Sequence, residues 1–315
     1  MADKDTRLLS SHPAAYSRAF ERFLASCDQE GAILKCMENH IEPILARNIK
    51  SSLPFRVLSV GSGEGENDLN ILKALNKILL KQGQPRQPLL LTNRVIEPAV
   101  NRISVFRAKA ENVAETLEGR AKADFEWMPM TFQEYAKQKK EYDVKMNLVH
   151  FIHSIYYVDI EEALVHCYEK ELGVQGVIVV IFQMKEDVMF KFGKKFPSQR
   201  STCYPKKDVI AVAREKGWKY FECPGDSNYL DITAMFDSSS REGNDLLDFL
   251  TDMIDVRKNE QRATVEKILK FWKKQSFLSK ERKRMVELRD KAAIILKGFD
   301  IWKTVFGGNV DDFVK

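Results

Sequence analysis

Short apolar runs alternate with amphipathic segments through the middle of the chain. The run Phe55–Val60 ends in glycine, and residues 67–75 after it carry apolar side chains at helical spacing. Further apolar runs at 89–96, 144–153 and 176–182 alternate with helical patterns at 103–117 and 159–172. This alternation predicts an α/β fold built on a doubly wound, mostly parallel sheet.

The same patterns suggest three regions. We predict an N-terminal helical lid over residues 1–50, and a core over 51–255 that carries an inserted substrate-binding segment at about 183–206. Residues 256–315 are predicted to form a basic helical C-terminal region, with a solvated helical face as the simplest explanation of its charge. One stripe of this lid carries Tyr16, Phe20, Phe23 and Leu24. It fits either a helical hairpin packed on the sheet or a cover over a ligand crevice.

A glycine-rich turn follows the first predicted strand. Gly61, Gly63 and Gly65 allow a sharp turn and leave the backbone accessible to a ligand. The dinucleotide-binding fingerprint requires glycine where this chain has Glu66, so a nicotinamide cofactor is not indicated. The spacing instead resembles the first motif of S-adenosylmethionine-dependent methyltransferases. Their cofactor has no pyrophosphate, so Glu64 and Glu66 are tolerable beside it. A purely structural turn is the alternative.

An acidic residue, Glu97, follows the predicted strand 89–96. A carboxylate at this end of a parallel strand can accept hydrogen bonds from both hydroxyls of an adenosine ribose. A solvated loop acid is the alternative. The carboxyl ends of the predicted strands place Gly61, Glu97, Thr131 and Ile152 on one rim of the sheet, where such folds bind ligands.

Composition narrows the classes of function. The chain has 315 residues, is 44% hydrophobic and carries a formal net charge of +5, which is too modest to indicate nucleic-acid binding. Its five cysteines include no C-x-x-C pair, so neither a metal site nor a disulfide framework is predicted. No apolar run reaches the ~20 residues of a membrane span, and the N-terminus lacks a signal-peptide core. We therefore expect a soluble, cytoplasmic, monomeric protein without metal.

Several segments together resemble the histamine N-methyltransferase family, which includes a carnosine N-methyltransferase. The segments that carry the resemblance are Tyr16 to Leu24, Val57 to Leu69, Val95 to Pro98, His150 to Val158, the pair Phe196-Pro197 and Asp245 to Thr251. They occur in order over residues from about 10 to about 255 and thin out in the basic C-terminal third. The resemblance implies a class I S-adenosylmethionine-dependent methyltransferase fold with a helical substrate-binding cap.

The resemblance also implies a set of cofactor contacts. Gly61, Gly63 and Gly65 would form the turn at the cofactor, Glu97 would bind the ribose and Ile152 would lie on the adenine side. Arg102 replaces a glutamine of the family. The serine that contacts adenine in the family falls at Thr131 or Phe132.

On the substrate side, an aromatic group matches the family and the polar contacts do not. The matching aromatic residues are Tyr16, Phe20, Tyr156, Tyr157 and Phe249. Gln29 replaces a substrate-binding glutamate, and His153 replaces a glutamine. Lys185 and Met189 align with tryptophans of the lid, and Ile295 aligns with a substrate-binding asparagine. The residues expected to bind the cofactor thus largely match the family, whereas the polar residues expected to bind the substrate differ from it.

The expected reaction is N-methylation of a ring nitrogen of a small, histamine-type imidazole amine. A neutral imidazole needs only orientation and exclusion of water, without a metal or a nucleophilic side chain. His153 is a candidate proton acceptor, or else a buried histidine satisfied by the backbone. Carnosine or a related imidazole peptide is the nearest alternative substrate, and a non-catalytic binding module is the alternative of another class.

The polar positions that differ from the family also predict a substrate preference. Gln29 keeps an acceptor oxygen but lacks the charge of a glutamate, and Lys185 can meet a carboxylate. We therefore expect histamine to be a mediocre substrate, and an imidazole that bears a carboxylate to be turned over comparably or better.

Overall fold

A computed structural model describes residues 7–49, 54–81, 89–113, 117, 121–138, 144–184, 186–197 and 208–298. The chain divides into two compact units. The larger unit comprises Leu34–Phe182, Pro205–Pro224 and Lys291–Lys315, and the smaller comprises Met1–Ile33, Gln183–Tyr204 and Gly225–Asp290.

The secondary structure of the described residues is mixed α/β. The helices are α1 (Pro13–Ser26), α2 (Gln29–Cys36), α3 (Glu42–Asn48), α4 (Glu66–Lys81), α5 (Val100–Glu111), α6 (Phe132–Gln138), α7 (Ile160–His166), α8 (Val188–Lys195), α9 (Val209–Glu215), α10 (Arg241–Thr251), α11 (Val256–Asn259) and α12 (Arg262–Gln275). The strands are β1 (Phe55–Val60), β2 (Leu89–Ile96), β3 (Ala121–Met128), β4 (Met146–Ile152), β5 (Leu172–Gln183), β6 (Lys219–Asp231), β7 (Phe277–Leu278) and β8 (Arg284–Leu296).

The strands form one sheet in the order β3-β2-β1-β4-β5-β8-β6, and β7 pairs with β8. β1 pairs in parallel with both β2 and β4, so the strand order reverses beside β1. β3 and β5 extend the parallel ladder on either side. This arrangement confirms the predicted doubly wound, mostly parallel sheet of the class I methyltransferase fold. It places the topological switch point, where such sheets bind ligands, at the carboxyl end of β1.

The core of the larger unit lies on β1, β4 and β5. Leu148, Val149 and Phe151 of β4 and the stretch 177–180 of β5 are at most 2% exposed. Strands that are buried on both faces have continuously apolar sequences, which is why these strands could be predicted from the sequence.

The smaller unit has a separate aromatic core. Trp272 of α12 is fully buried and stacks on Phe192 of α8, with the ring centroids 5.3 Å apart. α8 begins at Asp187, whose carboxylate accepts a hydrogen bond from the N–H of Met189, and α10 begins at Ser240, whose hydroxyl oxygen accepts one from the N–H of Gly243. These caps fix where the two helices start.

The prediction of a wholly helical, basic C-terminal region is wrong. It holds for α12, but Arg284–Leu296 is a strand, β8. The side chains at Val286, Leu288, Asp290 and Ala292 are buried while those between them are half-buried or exposed. This two-residue alternation fits a strand. The local abundance of Glu, Lys, Arg and Ala favours a helix, and inclusion in the sheet overrides it.

No helix within the described ranges is long and apolar enough to span a membrane.

Candidate functional site

The three glycines of the turn after β1 serve different purposes. All have positive φ angles: 70° at Gly61, 58° at Gly63 and 84° at Gly65. A Cβ atom at Gly61 would lie 2.5 Å from Ser154 Cβ, and one at Gly65 would lie 2.1 Å from the Phe106 ring. Nothing lies within 4 Å of a Cβ at Gly63. The turn is therefore packed tightly at both ends and open at Gly63, where a ligand can approach the backbone.

The carboxylate of Glu97 lies against this turn. Its Oε2 accepts a hydrogen bond from the N–H of Gly63 at 2.9 Å, and its Oε1 accepts one from the N–H of Ala99 at 3.0 Å. Glu97 is 5% exposed and directly follows β2. A carboxylate has about four acceptor positions. These two hydrogen bonds fix its orientation and leave further lone pairs for hydroxyl donors.

Arg102 and Ile152 flank the same rim. Arg102 is half-buried in the first turn of α5, and its N–H donates to the carbonyl of Ala99. Ile152 is the last residue of β4 and is 7% exposed. Both lie within the larger unit.

Thr131 and Phe132, the two alternatives for the adenine contact, differ in their surroundings. The Thr131 hydroxyl donates to the Glu134 carboxylate at 2.8 Å and accepts from the Glu134 N–H at 3.2 Å, which is a capping box at the start of α6. The Thr131 backbone N–H also donates to the Glu134 carboxylate at 2.8 Å, and this bond together with the one from the hydroxyl lowers the pKa of Glu134. Phe132 packs in the core with its ring 6.0 Å from that of Phe151. The polar member of the pair is therefore Thr131, at the rim.

Beneath the turn lies a buried polar network that the sequence interpretation missed. The hydroxyl of Ser59 on β1 contacts the Asp68 carboxylate, Asn93 Oδ1 at 2.8 Å and His150 Nε2 at 2.6 Å. Asn93 Nδ2 also donates to Asp68 Oδ1 at 2.8 Å. All four residues are at most 2% exposed. The network ties β1, β2 and β4 to the start of α4. Polar residues within apolar strands were the signal for it in the sequence.

A second buried network lies beside β2. Arg94 donates to Glu126 at 2.5 Å and to the Tyr135 hydroxyl at 3.0 Å. The Tyr135 hydroxyl donates to Glu171 at 3.1 Å, and His166 Nε2 is 3.1 Å from Glu171. Burial raises the pKa of Tyr135, to which the charge of Glu171 adds. The network satisfies buried charges by pairing, which gives it a structural role.

His153 follows β4 in an unusual backbone conformation. Its φ is 52°, in the left-handed region, and its N–H donates to the carbonyl of Ile181. The hydroxyl of Tyr156 is 3.5 Å from His153 Nδ1. Tyr157 is 60% exposed. Left-handed non-glycine residues are uncommon and concentrate at functional sites.

The smaller unit brings three of the predicted aromatic residues together. Tyr16, Phe20 and Phe249 have ring centroids 5.6 to 6.2 Å apart. Phe23 extends the group, 4.6 Å from Phe249. Both Phe20 and Phe23 lie on α1 and face α10.

Gln29, at the start of α2, lies in a buried polar cluster of the smaller unit. Its Nε2 donates to Asp290 Oδ2 at 3.3 Å, and Asn228 Nδ2 donates to the same oxygen at 2.9 Å. Asn228 and Asp290 carried no signal in the sequence, because they are far from Gln29 along the chain.

The remaining predicted substrate residues have other placements. Ile295 is fully buried in the hydrophobic core of the larger unit, and so has a packing role. Lys185 lies outside the described residues. Met189 is 3% exposed in the core of the smaller unit. Within the described ranges, no group of three or more His, Cys, Asp or Glu side chains is arranged to hold a metal ion.

Enzymes of named activity are similar to this chain in sequence. No protein-family model matches the chain. Histamine N-methyltransferase from Cavia porcellus is 30% identical over 260 residues, which cover 80% of this chain and 84% of that protein. Carnosine N-methyltransferase 2 from Gallus gallus is 28% identical over 243 residues, which cover 75% of this chain and 72% of that protein.

The fold has a counterpart among solved structures. The YcgJ protein from Bacillus subtilis matches with a TM-score of 0.50 at 11% identity, over 82% of this chain and 98% of that chain. At this identity the match concerns the fold alone, and it agrees with the parallel sheet described above.

Proposed function

Because the chain belongs to the histamine N-methyltransferase family, we propose that it methylates a ring nitrogen of a small, histamine-type imidazole amine. It is an S-adenosylmethionine-dependent methyltransferase. The choice of substrate is the part that is proposed.

The main support for the proposal is the position of the Glu97 carboxylate, which is hydrogen-bonded to the open glycine of the turn. The N–H groups of Gly63 and Ala99 fix this carboxylate at the switch point of the sheet. Its remaining lone pairs suit the vicinal hydroxyls of a ribose, and the space beside Gly63 suits a ligand that lies against the backbone. The residues present therefore fit an adenosine-containing cofactor.

When bound, S-adenosylmethionine supplies a sulfonium methyl group, for which a neutral imidazole nitrogen is a suitable nucleophile. Glu97 binds and orients the ribose, and Arg102 and Ile152 line the rim beside it. The hydroxyl of Tyr156 orients His153, which accepts at a ring nitrogen the proton that the imidazole loses. Tyr16, Phe20 and Phe249 offer aromatic faces that suit a flat ring and its cationic product.

Carnosine or a related imidazole peptide is a second candidate substrate. The match to carnosine N-methyltransferase 2 supports it, although at lower identity and coverage than the match to histamine N-methyltransferase from Cavia porcellus. We also propose a monomeric, cytoplasmic enzyme that acts on small molecules and not on nucleic acid. None of the four described cysteines forms a disulfide, as is usual in a reducing compartment.

A substrate panel tests the proposal. Purified protein is given S-adenosylmethionine with histamine, carnosine, histidine or imidazole, and kcat/KM is measured for each. The polar residues that differ from the family predict the opposite order, but the higher identity and coverage of the match to histamine N-methyltransferase favour histamine. We therefore expect histamine to have the highest value and carnosine the next. Turnover of carnosine at a clearly higher value would make the peptide the substrate. If the protein binds the cofactor but methylates none of the four compounds, the non-catalytic binding module is the correct interpretation.

A further inference from the structure

The hairpin formed by β7 and the start of β8 exposes apolar side chains. β7 consists of only two residues, Phe277 and Leu278, which pair in antiparallel register with Met285 and Arg284. Phe277 is 47% exposed and Leu278 is 60% exposed. Tyr229 of β6 is also exposed, and its ring meets that of Phe277 edge-on at 5.9 Å. A single exposed apolar side chain is common, but adjacent ones form a patch that marks a site of interaction.

The positive charge of the chain is concentrated at the same place. Residues 273–284, from the last turn of α12 to the start of β8, are named here the basic hairpin segment. This segment contains six basic residues and one acidic residue, Glu281. Its net charge of +5 equals the formal net charge of the whole chain, so the other residues are neutral on balance.

Most of these cations are available to a partner. The exposed ones without an ion pair to any described residue are Lys273, Lys274, Lys280 and Arg282. Lys283 Nζ lies 3.8 Å from Asp231 Oδ2, and its side chain is more than half exposed, so this pair is weak. A partner with a high density of negative charge therefore meets little competition from carboxylates of the protein.

The combination of cations and apolar side chains distinguishes between two phosphate-rich partners. The surface of an anionic bilayer accepts Lys and Arg at its phosphate groups and apolar side chains at the boundary of its acyl chains. Single-stranded nucleic acid is bound through aromatic rings on which bases stack, and Leu278 has no such ring. The side chains of the basic hairpin segment therefore favour a bilayer.

We propose that the basic hairpin segment binds the surface of a membrane that contains anionic phospholipid. Phe277 and Leu278 enter the interface, and Lys280 and Arg282 contact phosphate groups. Contact of this kind is peripheral and reversible, and needs no membrane-spanning helix. It goes beyond the proposed function and does not depend on which imidazole is methylated.

Sedimentation of the purified full-length protein with vesicles tests the proposal. One set of vesicles contains phosphatidylcholine alone, and the other contains phosphatidylcholine mixed with phosphatidylserine. We expect binding to the mixed vesicles to be at least about 10-fold stronger and to weaken as salt is added, because salt screens exposed charges.

A pair of charge variants locates the contact. Lys280→Gln combined with Arg282→Gln should weaken binding to the mixed vesicles by about 25-fold, since each basic residue near an anionic surface contributes about fivefold. Lys73→Gln combined with Lys122→Gln is the matched control, which removes the same charge from exposed positions of the larger unit. The control should bind within about twofold of the wild type, because charges outside the contact are screened.

An apolar variant separates a bilayer from other anionic partners. Phe277→Ser combined with Leu278→Ser keeps all six cations and should weaken binding to the mixed vesicles by about 10-fold or more. Its affinity for duplex DNA, which uses the cations alone, should be that of the wild type. Unchanged affinity for S-adenosylmethionine shows that each variant retains its fold.

Three results would overturn the proposal. The first is wild-type protein that sediments equally with the two kinds of vesicle. The second is binding to the mixed vesicles that survives in the folded Phe277→Ser, Leu278→Ser variant. The third is tighter binding of duplex DNA than of the mixed vesicles through Lys280 and Arg282, which would make nucleic acid the partner of this hairpin.

Discussion

The backbone N–H of Gly63 donates a 2.9 Å hydrogen bond to Oε2 of Glu97, which joins the glycine turn after β1 to the acid after β2. The protein's own hydrogen bond thus holds the two parts of the predicted cofactor site together. Preorganisation of this kind lowers the entropic cost of binding.

Replacing Glu97 should weaken cofactor binding. Glu97→Ala removes two expected hydrogen bonds of about 1 kcal/mol or more each, so affinity for S-adenosylmethionine should fall by roughly 30-fold. Calorimetry measures the change. Glu66→Ala, which removes a half-exposed carboxylate paired with Lys109, is the matched control and should leave affinity within about twofold. Unchanged affinity in folded Glu97→Ala would remove Glu97 from the site.

Substitutions at Gly63 and Gly65 should have separable effects. The Cβ atom of Gly63→Val would have no neighbouring atom within 4 Å, so the main expected cost to stability is that of a left-handed backbone, about 1–2 kcal/mol. It should nevertheless abolish most cofactor binding, because the side chain fills the open face. Gly65→Ala places a Cβ 2.1 Å from the Phe106 ring and should lower the melting temperature more than Gly63→Val does. The reverse order of the two melting temperatures would contradict this description of the turn.

Removing the hydroxyl of Ser59 should destabilise the larger unit. Ser59→Ala leaves the buried groups of Asp68, Asn93 and His150 without their shared partner, at an expected cost of about 1–3 kcal/mol. Urea denaturation measures this change. The control is Ser104→Ala, whose hydroxyl only donates to the carbonyl of Val100 within its own helix and is exposed. Equal stability of Ser59→Ala and Ser104→Ala would show that the network contributes little.

The titration of the Asp248 carboxyl group should lower the free energy of unfolding as pH rises from about 4 to about 6. Burial raises the pKa of this carboxyl group from its ordinary value of 3.8 to about 6, despite hydrogen bonds from the N–H groups of Asp255 and Val256. The folded state then binds the proton more tightly than the unfolded state. The contribution of Asp248 to the free energy of unfolding is fully present below the pKa that this group has in the unfolded state. It is lost as pH rises through the pKa of the folded state, by about 3 kcal/mol in all.

Comparison with Asp248→Asn isolates this effect from the other carboxylates. The free energy of unfolding of the wild type minus that of the variant should decrease over this pH range. A difference that stays constant, or that increases with pH, would show that the pKa of Asp248 is not raised.

The sequence predicted those parts of the fold that have local signals. Strand 89–96 coincides with β2 and the glycine turn lies at the switch point, because buried parallel strands and glycine turns are marked by neighbouring residues. β8 was missed, since the alternation of Val286, Leu288 and Asp290 is obscured by helix-favouring residues between them. The surroundings of Gln29 could not be predicted for a different reason. The charge beside it comes from Asp290, and only tertiary structure brings these residues together.

Transfer of a labelled methyl group to histamine distinguishes an imidazole N-methyltransferase from a protein that only binds the cofactor. Protein is incubated with histamine and S-adenosylmethionine that carries a deuterated methyl group, and the product is analysed by mass spectrometry and by NMR of the imidazole ring. We predict one deuterated methyl group on a ring nitrogen, formed at a rate that Glu97→Ala greatly reduces. Protein that binds the cofactor but transfers no label to histamine or to any other imidazole would contradict it.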